Sequence, residues 1–251
     1  MEPFDKFIEI VRRLRKECPW DREQTHESLR HLLIEEAYET VEAIEQKNID
    51  GLRKELGDLL LHVVMHSVIA EEAKEFSLKE VISEITKKLV HRHPHVFGDV
   101  HVNSQIEVKE NWERLKLTEG RSSIIEGLPK SMPALLRAQR LQERASNLGF
   151  DWEHAEDVWR KVEEELREMQ DAVSSGDVRR VEEEYGDLLF ALVNYARFVN
   201  VNPENALRTT IDKFSRRFQY IEEKLREQGK SIRASSLTEM DALWEEAKQR
   251  E

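Results

Sequence analysis

The sequence predicts an all-α protein built from two tandem, repeated helical bundles, and three observations carry that expectation: composition, the spacing of apolar residues, and likeness between the two halves. Among 251 residues there are only 9 glycines and 6 prolines, while 36% are charged. Ordinary chains hold about 7% Gly, about 5% Pro and about 25% charged residues. Loop-rich, collagen-like and low-complexity chains are thereby excluded, and long helices studded with Glu, Lys and Arg are favoured. Apolar positions recur by steps of three and four through most of the chain, and no stretch shows convincing period-two alternation. The length suffices for two units of ~120 residues, each able to bury a core.

Taken in order, the helical pattern first covers 4–16 and then 27–46, where Leu29, Leu33, Ala37, Val41 and Ile44 form one stripe. It resumes over 50–73, with Leu52, Leu56, Leu59 and Val63 along it, and over 77–92. Pro94 and Gly98 stop that helix, and a further one is expected at 104–117. Residues 120–133 hold Gly, Ser and Pro at the density of a connection, so the expected domains are 1–119 and 134–251, joined by 120–133. The second half then shows the helical pattern over 132–148, 152–173, 177–199, 203–227 and 237–248.

The excess of 51 Asp and Glu over 39 Lys and Arg argues against a nucleic-acid polymer as main partner, since such proteins carry a basic surface. Cys18 is the only cysteine, which excludes an intrachain disulfide and a thiolate zinc site. Charged residues from Asp5 to Arg15 interrupt the amino-terminal apolar positions and leave no signal-peptide core. The most apolar stretch, 59–70, contains His62, His66 and Ser67 and is too short for a membrane span. A cytoplasmic chain without membrane contact is expected.

Residues 52–64 and 181–193 share six identities in thirteen at an offset of 129, and Glu35, Glu36 and Glu39 fall on Glu164, Glu165 and Glu168 at that same offset. Lys88 and Arg92 match Lys213 and Arg217 at 125, and Trp112 and Lys116 match Trp244 and Lys248 at 132. A duplicated helical unit accounts for these matches. Glu36 and Glu39 lie one turn apart beside the apolar stripe, as Glu55 and Asp58 do on the next helix. If the two helices pack antiparallel, four carboxylates converge. Two like charges at 4 Å repel by about 4 kcal/mol at an effective dielectric of 20, so such a cluster calls for cations or shared protons. Oxygen-only ligands select Mg²⁺ first, with Mn²⁺ as substitute. Any one of these Glu residues could equally be a solvated helix face. The recurrence as Glu165, Glu168, Glu184 and Asp187, while neighbours drift, favours a site. Gly57 and Gly186, each between the two acids of its pair, suggest a close approach there. His62, replaced by Ala191 in the repeat, reads as a packed or supporting residue and not as a ligand.

Lys88 with Arg92, and Lys213 with Arg217, present two cations one turn apart, a spacing suited to adjacent phosphates. Trp112 with Lys116, and Trp244 with Lys248, add a ring able to stack a base, although a helical Trp is commonly core. Metal acids, phosphate cations and a flat ring together describe a nucleoside polyphosphate.

These residues resemble the MazG nucleoside triphosphate pyrophosphohydrolases, within the all-α NTP pyrophosphatase superfamily. The likeness rests on Cys18-Pro19-Trp20-Asp21, the EExxE stretch from Glu35 to Glu39 with Glu55 and Asp58, the run RHPHVFGD from Arg92 to Asp99, and the second set from Glu164 to Glu168 with Glu184 and Asp187. It covers nearly the whole chain. The resemblance implies Mg²⁺-dependent hydrolysis of (d)NTPs to monophosphate and pyrophosphate, broad base specificity, and a homodimer whose helices bundle around the sites. It implies metal ligation by Glu36, Glu39, Glu55 and Asp58 and by Glu165, Glu168, Glu184 and Asp187. Nucleotide contacts would come from Lys161, Glu164, Lys213, Arg217, Trp244 and Lys248, and by the repeat from Lys88, Arg92, Trp112 and Lys116. Water would attack the α-phosphorus, oriented or deprotonated by a carboxylate for which Glu35, Glu36, Glu164 and Glu165 are the candidates. Some members keep only the second domain active. This chain keeps the acids in both halves, but Lys54 stands where Glu183 does, so the extra negative charge of Glu183 is expected to favour turnover in the second. A narrower dUTPase-like pyrophosphatase and a non-catalytic helical metal-binding or interaction protein are the alternatives. A ferritin-like dimetal site would want Glu-x-x-His pairs, and none occurs at the aligned acids.

Overall fold

The computed structural model describes residues 3–102, 104, 107–108, 111–112, 115 and 123–250, and among them there is no β-strand. The chain divides into two compact units, Met1–His101 and Val102–Glu251.

The first unit contains α1 (Pro3–Glu17), α2 (Pro19–Arg22), α3 (His26–Glu45), α4 (Ile49–Ala73), α5 (Leu78–Arg92) and α6 (Pro94–Phe97). Helix starts are set locally. Thr25 and Ser77 each accept the backbone N–H three residues on, and the side chains of Ser28 and Glu80 return the bond. α3 and α4 pack as a hairpin, and α1 and α5 pack on α4. Between them lie Val11, Leu29, Val64, Met65, Val68, Ile69 and Leu78. Burying each such side chain is worth about 1.5–3 kcal/mol relative to leaving it in water. Arg15 fastens the segment before α3: it donates to the backbone oxygen of Asp21, to those of Arg22 and Gln24 at 3.0 and 2.9 Å, and to Glu72 on α4 at 2.9 Å. The Cys18-to-Asp21 motif is thus held at its last carbonyl by Arg15 of α1, which also reaches Glu72 of α4.

The second unit contains α7 (Ala134–Ser146), α8 (Ala155–Ser175), α9 (Val178–Phe198), α10 (Pro203–Glu227), a 3-10 turn (Ile232–Ala234) and α11 (Leu237–Lys248). α8 and α9 form its hairpin, α9 packs on α7, and α10 packs on α7 and α11. Val158, Val162, Ala172, Val193, Ile221 and Leu225 are buried. Arg144 on α7 donates to the carbonyls of Ile124 and Glu126 at 2.8 and 2.7 Å, which docks the described start of the connection onto this unit. Residues 107–108, 111–112 and 115 are helical.

The repeat holds its register at the helix starts. α3 and α8, and α4 and α9, begin 129 positions apart, while α5 and α10 begin 125 apart. The caps repeat with them: Asn48 and Asp177, then Ser77 and Asn202, accept backbone N–H groups. The hairpin turn also repeats, with Lys47 at φ 55° where Gly176 stands at φ 73°. One difference has a plain cause. α10 runs for 25 residues and α5 for 15, because Pro94 disfavours helical geometry at His93 (φ −123°, ψ 56°). α8 begins three residues later than the periodicity suggested, since His154 is extended and Asp151 is held by Arg197 at 2.6 Å. The close approach expected at Gly57 and Gly186 is not there: a Cβ at either position would meet nothing within 4 Å.

Candidate active site

Each hairpin brings three carboxylates together. In the first unit Glu36 and Glu39 on α3 meet Glu55 on α4, and in the second Glu165 on α8 meets Glu184 and Asp187 on α9. Within each trio, one oxygen of every residue lies within 4.8 Å of the others. The cause is local: the acids sit three residues apart on the facing edges of two helices joined by a turn of fixed geometry. The fourth acid of each set stands beside its trio. Asp58 acts on Glu36 through its charge, and Glu168 feels Glu165 and Glu184.

The electrostatics agree with the geometry. Burial pushes the Glu36 carboxyl above its ordinary range, and the charges of Asp58, Glu39, Glu55 and Glu35 push it further. Glu39 is raised by burial and then by Glu55 and Glu35, and Glu168 by burial and then by Glu165 and Glu184. Carboxyls that resist ionising together, offering only oxygen, form a donor set that fits a hard divalent cation.

The two clusters differ in their cations. Lys161 lies 2.6 Å from Glu164 and 2.7 Å from Glu165, and Arg180 lies 3.5 Å from Glu184. Hydrogen bonds to Glu164 and Glu165 hold the Lys161 ammonium well above the usual lysine range. Leu32 and Gly51 occupy the matching places 129 positions earlier. Lys161, implied by the resemblance as a nucleotide contact, thus sits within the acidic cluster. Lys54 and Glu183 are both exposed and belong to neither trio. His62 is buried on α4, its imidazole pushed down by burial against the opposing pull of Asp58.

The other anticipated nucleotide contacts lie mostly on α10 and α11. The Arg217 guanidinium stands 5.2 Å over the Trp244 ring, Phe214 packs on the same ring at 5.3 Å, and Lys248 pairs with Glu245 at 2.9 Å. Lys213 is half-buried one turn before Arg217. Lys88 is exposed and Arg92 half-buried on α5, and Glu35 and Glu164 lie at the exposed rims of their clusters. Trp112 falls in the second unit and lines a cavity of about 660 Å³ with Arg140, Arg144 and Arg197. Lys116 lies outside the described residues.

Sequence reasoning missed a second cavity, of about 640 Å³, which shares Lys161, Glu165 and Asp187 with the acidic cluster and is also lined by Gln142, Phe150, Trp152 and Asn194. The run Gly149-Phe150-Asp151-Trp152, two aromatics in a glycine turn just ahead of the acidic hairpin, was the available signal.

Comparison with known proteins places this arrangement. The sequence profile of the MazG nucleotide pyrophosphohydrolase domain matches residues 24–97 and again 154–221. The nucleoside triphosphate pyrophosphohydrolase/pyrophosphatase MazG of Thermotoga maritima is 46% identical over 98% of this chain and 95% of its own. The nucleoside triphosphate pyrophosphohydrolase of Escherichia coli K12 is 38% identical over 100% of this chain and 99% of its own. A crystal structure of a mazG-related protein from Thermotoga maritima, 26% identical, superposes on 45% of this chain and 98% of its own with a TM-score of 0.41. With both acidic hairpins inside the matched segments, the chain belongs to the MazG nucleotide pyrophosphohydrolase family and carries its domain twice.

Proposed function

We propose that this chain hydrolyses (deoxy)nucleoside triphosphates to nucleoside monophosphate and pyrophosphate, with broad base specificity and dependence on Mg²⁺, for which Mn²⁺ substitutes. The observation that carries the reading is the pair of three-carboxylate clusters, each on a helical hairpin inside a matched domain segment. The names of the two full-length relatives support the reaction.

In the second half Glu165, Glu184 and Asp187, with Glu168 beside them, would hold the metal; Glu36, Glu39, Glu55 and Asp58 would do so in the first. The bound ion supplies charge neutralisation on the triphosphate. Everything else falls to side chains. Glu164 or Glu165 orients and deprotonates the water that attacks the α-phosphorus, with Glu35 and Glu36 in that role in the first half. Lys161 exchanges its two carboxylate partners for phosphate oxygens as nucleotide arrives, and Lys213, Arg217 and Lys248 counter the charge of the departing pyrophosphate. Lys88 and Arg92 serve the first site, with Trp112 and Lys116 the repeat counterparts of Trp244 and Lys248. The functional halves are 1–119 and 134–251, joined by 120–133.

The working form is a homodimer in the cytoplasm. Leu56, Leu60 and Val63 on α4, and Tyr185, Leu189 and Phe190 on α9, are exposed on the very hairpins that carry the acids, with open space over Gly57 and Gly186. Apolar surface of this extent on a functional element calls for a cover.

The test is to incubate the pure protein with a panel of NTPs and dNTPs and identify the phosphorus products. Monophosphate and pyrophosphate in equal amounts are expected, lost in chelator and restored by Mg²⁺ or Mn²⁺. Orthophosphate and diphosphate as primary products would refute the reading, and turnover of dUTP alone would favour the narrower dUTPase-like enzyme.

A further inference from the structure

Resting on that hydrolase reading, we propose that the cavity beside the second acidic cluster is a nucleobase pocket. In it the amide oxygen of Gln142 accepts a hydrogen bond from an N–H of the base edge, while Phe150 and Trp152 pack the base's flat faces.

Gln142 is the starting point. It is 7% exposed, and its Nε2 donates to the backbone oxygen of Phe190 at 2.8 Å, which settles the orientation of the amide. Its Oε1 is consequently a buried acceptor, and it has no partner among the described residues. A buried acceptor left unmade is costly, and this one lines the cavity that Glu165 and Asp187 also line. The ligand that answers it must bring a donor. Asn194 offers the complementary group: its Oδ1 is occupied by Arg197 at 2.6 Å, and Asp151 holds the same guanidinium at 2.6 Å, so Asn194 presents its NH₂.

Away from the charged Lys161, Glu165 and Asp187, the lining is largely apolar, with flat rings from Phe150, Trp152 and Phe190. Gly149, at φ 88°, turns the chain after α7 so that Phe150 stands 84% exposed at the rim, its own N–H bonded to Ala145 at 3.1 Å. A volume of about 640 Å³ lies within the range of small-ligand pockets. A triphosphate whose charged end meets the acids and Lys161 would seat its base here. Adenine, cytosine, guanine and uracil or thymine each carry at least one N–H on the pairing edge, so an acceptor fixed at Gln142 gives affinity without choosing among them. At the offset of 129 the first half carries other residues: Arg13 for Gln142, Asp21 for Phe150, Glu23 for Trp152 and the buried Met65 for Asn194. The fixed acceptor at Gln142 is therefore not repeated there at that offset.

The experiment compares ATP with purine riboside 5′-triphosphate, which has the same rings but no N–H on that edge, in the wild type, Gln142→Leu and Phe150→Ala. Steady-state kinetics and calorimetric binding are both measured, with circular dichroism melts to verify folding. The wild type is expected to favour ATP by about tenfold or more in kcat/KM, through KM. Gln142→Leu should bring ATP down to the level of the analogue and leave the analogue unchanged. Phe150→Ala, at an exposed position that the fold does not need, should raise KM for both nucleotides by about tenfold. Gln142-dependent binding without hydrolysis would sink the enzyme reading and leave the pocket standing. Hydrolysis with equal treatment of both nucleotides by all three proteins would sink the pocket alone. If both variants keep wild-type kinetics but elute as monomers, the cavity is a subunit contact and the proposal is overturned.

Discussion

Glu165 is the most buried of the clustered acids, at 7% exposed, and its charge is answered inside the chain by Lys161 at 2.7 Å. Glu36 has no such partner among the described residues, and its carboxyl is pushed upward by burial and by four neighbouring carboxylates. The second site thus carries a displaceable cation among its acids and lies beside a cavity, whereas the acids of the first meet chiefly one another. Glu184→Gln is accordingly expected to lower kcat by about a hundredfold or more, and Glu55→Gln to leave most of the turnover while weakening Mg²⁺ binding by the first half. Rates and Mg²⁺ titrations of both single variants and the double variant provide the check. If Glu184→Gln leaves the rate untouched while Glu55→Gln abolishes it, the order of the sites is reversed. Full activity in the double variant would show that the carboxylates do no chemistry.

At the scale of elements, local chemistry sets where helices begin, and α11 shows it with a measurable consequence. Ser236 and Glu239 exchange capping bonds at its first turn, and Lys230 adds a bond to Glu239 at 2.5 Å. The Glu239 carboxyl is held down to about 2, chiefly by Lys230 and then by the Ser236 backbone. A depressed carboxyl binds fewer protons in the folded state, so its contribution is present above the ordinary value near 4.5 and is lost as pH falls toward about 2. Glu239→Gln should therefore melt at a slightly lower temperature than the wild type at pH 7. The gap should close as pH drops below 4.5, read by melts at a series of pH values; a gap constant with pH would contradict the assignment. Because α11 carries Trp244 and Lys248, the same variant should raise KM for nucleotide modestly at neutral pH.

At the scale of the whole molecule, both acidic hairpins display large apolar side chains. Light scattering at micromolar concentration is expected to report twice the 29.6 kDa chain mass. A particle of 29.6 kDa that still turns over nucleotide would refute the dimer. The described residues contain no helix long and apolar enough to cross a membrane.

Much of the architecture was legible in the residues themselves. The 3.6-residue period of the apolar positions placed the long helices, and polar residues recurring at fixed offsets placed the repeat, because helix starts depend on caps and turns a few residues away. The acidic sets were legible for the same reason: on two helices joined by a short turn, position along the chain nearly determines position in space. The short helices at Pro19–Arg22 and Pro94–Phe97 carry too few residues to show a period. What only the tertiary structure decided is what those helices meet. Gly57 and Gly186 face open space and not a neighbour, Lys161 turns inward to two carboxylates, and Lys54 and Glu183 turn outward. Gln142 acquires its orphaned acceptor only when α7 lies across the Phe190 carbonyl of α9, forty-eight positions away. Periodicity tells which face of a helix is buried; the partner of each buried polar atom depends on non-local packing, and that packing sets the electrostatics and the pocket on which this chain's chemistry rests.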